Sequence, residues 1–144
     1  MSISHQYRGR VFLNSHDYDH ALSEFEAALQ VEKNIWKSLG SHSKPLSPTG
    51  NSFTKVELIN KYSLAQYRSE YAELHFLLGI VYLAQHDSQR AITKFKVSLQ
   101  MQPHFLDARI ALAELYLQLG RIAEARKEFA AALMDIRQSS VYIP

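Results

Sequence analysis

Residues 72–105 read AELHFLLGIVYLAQHDSQRAITKFKVSLQMQPHF, and residues 106–139 read LDARIALAELYLQLGRIAEARKEFAAALMDIRQS. Written one above the other at an offset of 34, Leu78 meets Leu112, Tyr82 meets Tyr116 and Leu83 meets Leu117. In the second half Ala91 meets Ala125, Phe95 meets Phe129 and Leu99 meets Leu133. Leu78 to Tyr82, and Ala91 to Phe95 to Leu99, are steps of four, which keep residues on one side of a helix. A third copy lies at residues 2–35, with Gly9, Phe12, Leu13, Ala21, Phe25 and Leu29 in the matching places. No period-two alternation bounded by turn residues suggests a strand. The chain is expected to be all-α.

The unit resembles the tetratricopeptide repeat, a 34-residue helix-turn-helix with small residues where its two helices cross. The copy at 72–105 carries Leu78-Gly79, Tyr82, Ala91, Phe95 and Pro103 at that family's spacing, and the copy at 106–139 carries Leu112-Ala113, Tyr116, Ala125, Phe129 and Ala132. Arg137 replaces the closing proline. In the first copy HDYDHALSEFEAAL resembles the second helix of a repeat, while Arg8-Gly9 and Phe12 give its first helix a weaker match. The resemblance implies an α-solenoid of three helix pairs in one domain, 1–144. A lone pair cannot cover its apolar face, so stacked pairs share a core.

Residues 36–71 separate the first two copies. Gly40, Pro45, Pro48 and Gly50 crowd the first half of this insertion, whereas FTKVELINKYSLAQYRSEY is free of breakers and runs into AELHFLLGIVYLAQH. The expected order is a second helix extended to about residue 38, a loop over 40–53, and one long helix over 54–86. Lys37, Lys44, Lys55, Lys61 and Arg68 outnumber Glu57 and Glu70, so the mild basicity of the chain (net charge +2) lives in the insertion. A spread of charge on a helix reads first as a solvated face, with a docking arm for an acidic partner as the sharper alternative.

Composition narrows the function. Zero cysteines excludes disulfide scaffolds, Cys-ligated metals and thiol nucleophiles. No apolar run reaches the length of a membrane span, and the opening MSISHQYRGR leads into no apolar leader segment, so a cytoplasmic location is expected. His16 and His20 stand four apart beside Asp17 and Asp19, but a metal centre needs a remote third ligand that nothing nominates. The acidic residues there suit a helix start instead. His75 reads as a packed histidine, and Tyr62, Tyr67 and Tyr71 as helix-pair packing rather than a nucleic-acid platform. No phosphate loop or strained nucleophile turn occurs. Neither catalysis nor a metal or cofactor is expected.

The resemblance instead implies a protein partner, a peptide or amphipathic helix held in a concave groove lined by the first helix of each repeat. Carried over position by position, the groove residues are Ile3, Gln6, Arg10, Leu13 and Asn14 in the first copy. The second copy gives Glu73, Phe76, Ile80, Leu83 and Ala84; the third gives Asp107, Ile110, Glu114, Leu117 and Gln118. Gln6, Phe76 and Ile110 occupy the place where co-chaperone members put a carboxylate-binding lysine, which disfavours capture of a C-terminal carboxylate. The expected role is an adaptor or scaffold; the alternatives are a chaperone-like protein shielding an apolar segment of a secretion or assembly substrate, and a self-assembling scaffold. Ala123, Ala130, Ala131 and Met134 add apolar surface beside the main stripe of the last helix, so a cover is expected there, by Val141-Tyr142-Ile143 or by a second protomer in a homodimer.

Overall fold

A computed structural model describes residues 2–42 and 55–140. Among them are six α-helices and no strand: α1 (Ser2–Asn14), α2 (Tyr18–His42), α3 (Lys55–Ala84), α4 (Ser88–Met101), α5 (Leu106–Gln118) and α6 (Ile122–Ser140). The chain divides into two compact units, Met1–Leu74 and His75–Pro144, with α3 contributing its first part to one and its last part to the other. α3 is one helix of 30 residues, about 45 Å at 1.5 Å per residue, as its lack of breakers leads one to expect. α2 runs to His42, beyond the expected end near residue 38 and into the expected loop. Gly40 lowers helix propensity without forbidding a helix. The stronger barrier is Pro45, which disfavours helical backbone at the residue before it and leaves positions up to 42 free to continue. Residues 43–54, most of that loop, and the 141–143 tail lie outside the described residues.

Three helix-to-helix turns share one construction. At α1–α2, Asp17 N–H donates to the Phe12 carbonyl (2.9 Å) and His16 N–H to the Leu13 carbonyl (3.1 Å). At α3–α4 the same pair is Asp87 to Tyr82 (2.9 Å) and His86 to Leu83 (3.1 Å); at α5–α6 it is Arg121 to Tyr116 (2.8 Å) and Gly120 to Leu117 (3.1 Å). These are the two bonds of a Schellman motif, which satisfies carbonyls left over at a helix end and requires a left-handed residue. That residue is His16 (φ 62°), His86 (φ 63°) and Gly120 (φ 76°) in turn. The next residue starts the following helix. Asp87 caps α4 by accepting from the Arg90 N–H at 3.2 Å, and Asp17 accepts from the His20 N–H at 3.4 Å. Arg121 has no acceptor to offer; it forms two 2.7 Å bonds to Glu124 instead, so the charge order of the pair is inverted in the last turn.

Each unit has its own aromatic centre. In the first, Phe25 of α2 is fully buried against Gly9 of α1. In the second, Phe95 of α4 is fully buried against Gly79 of α3. A Cβ on Gly9 would stand 2.5 Å from the Phe25 ring, and one on Gly79 2.6 Å from the Phe95 ring. Only glycine lets these helices approach so closely. Around the second centre α4 packs on α5 and α5 on α6, burying Leu78, Val81, Ile92, Leu112, Leu115 and Tyr116.

Candidate partner-binding face

In the unit formed by residues 75–144, the candidate residues sit on the last turns of α3 and on α5. Leu77, Leu78, Val81 and Tyr82 turn one side of α3 into the core, and Leu112, Ala113, Leu115 and Tyr116 do the same for α5. The opposite side carries Phe76, Ile80, Leu83 and Ala84, all half-buried, with Asp107 and Glu114 exposed, Ile110 half-buried, Leu117 53% exposed and Gln118 exposed. Helical periodicity alone produces this division: the two sets interleave at three-four spacing, so filling one face with core leaves the other turned outward.

Phe76 is a partial exception. Its ring lies 5.9 Å from Phe95 and 5.2 Å from Phe105, edge-on to the latter, so much of its surface already serves packing within the unit. The apolar surface still open around it belongs to Ile80, Leu83, Ile110 and Leu117. Asp107 and Glu114 give this side a negative rim, and neither makes an ion pair among the described residues. The other face of α5 is tied down: Arg109 donates to Glu128 at 2.8 Å and to the Pro103 carbonyl at 2.7 Å, fixing α5 to α6 and to the preceding turn.

In the unit formed by residues 1–74, Ile3, Arg10 and Asn14 are exposed, and Gln6, Leu13 and Glu73 are half-buried. Arg10 and Glu73 are ion-paired, α1 to α3. These two expected groove charges therefore neutralise each other. Gln6 lies 3.4 Å from the Ser2 hydroxyl. Behind this side, Glu24 draws together His5 (2.6 Å) and Arg8 (3.3 Å), and the His5 hydrogen bond, more than the Arg8 charge, holds its carboxyl below the usual range.

Two features escaped the sequence reading. His16 and His86 are the left-handed turn residues, which their places 104 and 34 positions before Gly120 would have signalled. Glu32 is buried at 5% exposure on α2, beside Ser2 and Glu70; burial, with the Glu70 carboxyl adding, pushes its own carboxyl above the usual range. His20, expected beside His16 as a conceivable ligand pair, is hydrogen-bonded to Asp17 at 2.7 Å, which raises its pKa, and stacks on Phe12 at 5.1 Å. His16 turns to the Tyr18 hydroxyl at 3.1 Å. Among the described residues no group of three or more His, Cys, Asp or Glu could hold a metal ion, and no helix is long and apolar enough to cross a membrane.

Residues 82–142 match the family model of the tetratricopeptide repeat. The resemblance to that family is thus shown for this part of the chain. That fold is a non-catalytic, protein-interaction fold. No curated protein matches the chain in sequence. Among solved structures it is similar to a crystal structure of MamA at 15% identity, covering 98% of this chain and 81% of that one, with a TM-score of 0.49. It is also similar to another structure titled MamA protein at 18% identity, covering 99% and 98%, with a TM-score of 0.47.

Proposed function

We propose that this protein is an adaptor that holds an amphipathic helix or extended peptide on the outward side of α3 and α5, with the ligand presenting apolar anchors and a basic residue. One observation carries the reading: Ile80, Leu83 and Ile110 stay half-exposed and Leu117 exposed on helices whose opposite sides are buried, with Asp107 and Glu114 alongside. Apolar surface rimmed by charge is the usual mark of an interaction site. A helix with anchors at three-four spacing matches the spacing of these residues, and Lys or Arg beside the anchors would meet the two carboxylates. Phe76 is proposed as part of this face; within the first unit, Gln6, Arg10, Leu13, Asn14 and Glu73 are proposed as partner-contacting residues, with Arg10 and Glu73 acting as a pair. The three repeats at 2–35, 72–105 and 106–139 are proposed as its scaffold, and the cytoplasm as its setting.

The test is a selection of helical peptides from a display library against the purified protein, followed by affinity measurement. Selected sequences are expected to share apolar residues at helical spacing and an excess of Lys and Arg. The double substitution Ile80→Ser with Leu117→Ser should weaken their binding tenfold or more, because a few anchors dominate such contacts. Circular dichroism should be unchanged, since both side chains are at least partly outside the core. Undiminished binding by the folded double variant would refute the assignment.

A further inference from the structure

The register of the helices exposes a second surface, unrelated to the one above. Leu74 and Val81 on α3, and their equivalents Ala108 and Leu115 on α5, are all buried. The same two places on α1 are Ser4, exposed, and Val11, 46% exposed. Between them Leu77 is buried and Ala111 half-buried, whereas Tyr7 is 70% exposed; Ile3, one turn earlier, is 79% exposed. α6 shows the converse. Leu29 on α2 is buried and Leu99 on α4 half-buried, while their equivalent Leu133 is 58% exposed, next to Met134 at 57%.

These differences have one cause. In a helical repeat, such positions are covered by the neighbouring pair. The chain builds that junction in full where α4 packs on α5. Among the described residues no helix pair covers Tyr7 and Val11 of α1 or Leu133 of α6. Tyr7 and Val11 thus form the receiving half of a junction whose donating half centres on Leu133. We propose that copies of this chain associate head to tail, α6 of one copy on α1 of the next. The occupant of each face is a second copy because the chain carries both halves of the junction it already makes internally. A junction joining unlike faces leaves one of each face free in a pair, so it permits rings or runs of more than two copies. Ser4 in place of Leu74 and Ala108, and Arg126 in place of the buried Ile92, reduce its apolar area below that of α4–α5, which makes the association reversible.

Analytical ultracentrifugation across a hundredfold range of concentration should show wild-type mass rising past that of a dimer. Tyr7→Glu with Val11→Asp blocks one face, and Leu133→Glu with Met134→Glu blocks the other. Each double variant alone should stay monomeric, and an equimolar mixture should give a species of two chains and no larger. Because the chain lacks cysteine, a second measurement is available that leaves the fold alone. Under mild oxidation Tyr7→Cys mixed with Leu133→Cys should give a disulfide-linked pair, and Leu133→Cys by itself should not. A wild type that stays monomeric, a mixture that stays monomeric, or a Leu133→Cys protein that crosslinks to itself would overturn the proposal.

Discussion

At the scale of single residues, the closest approach of two helices depends on the absence of a Cβ. Gly79→Ala would gain up to about 1 kcal/mol of helix propensity. It would also drive a methyl group to 2.6 Å from the Phe95 ring, which is fully buried and has no room to withdraw. Overpacking of this kind costs about 1–3 kcal/mol, so the clash wins. A urea titration should show a lower midpoint with an unchanged slope. The third copy has Ala113 at this position, and its partner ring, Phe129, is only half-buried. There the extra methyl is matched by a looser ring. Glycine and phenylalanine are both visible in the sequence, but the contact that makes the glycine obligatory is not.

Among the elements, α2 carries the one carboxylate that is buried among the described residues. Glu32 is closed in by Ser2 of α1 and by Glu70 and Tyr67 of α3; burial first, then the Glu70 carboxyl, raise its pKa, while the Ser2 hydroxyl opposes the rise. In the unfolded chain Glu32 loses its proton near the ordinary value, and in the folded chain at a higher pH. Between those two values the folded state holds more protons, so stability falls as pH rises. The contribution is fully favourable only below the ordinary carboxylate value and is lost once pH exceeds the raised one. Glu32→Gln removes the titrating proton while preserving shape. Its denaturation midpoint should exceed the wild type's at pH 7.5 and lose that advantage near pH 4.5; a constant difference at both pH values would place the cause elsewhere. Sequence periodicity puts Glu32 on the helix, and nothing in it reveals that α1 and α3 enclose it.

For the whole molecule, the two compact units set how damage spreads. Phe25 fills the centre of one and Phe95 that of the other, each with no exposed surface. Phe25→Ala should cost about 3–5 kcal/mol through lost burial and the cavity left behind. In repeat structures each helix pair depends mainly on its neighbours. Hydrogen exchange of the variant should therefore accelerate in α1 and α2 while α5 and α6 keep their protection. Uniform acceleration across all helices would show the chain unfolding as a single unit.

The amino-acid sequence by itself determined the helices, the 34-residue spacing and the residues at each crossing, because periodicity, breakers and small residues act locally along the chain. The long α3 helix followed from an unbroken run of helix formers, and the Gly120 turn from glycine's freedom at positive φ. The left-handed turns at His16 and His86 were legible too, through their repeat register with Gly120. Only the tertiary structure decided that Arg10 neutralises Glu73, that Phe76 is drawn into packing by Phe105, and that Leu133 is exposed while Leu29 is buried. All of these depend on which neighbour covers a given face, and helical spacing specifies the face without naming what lies against it.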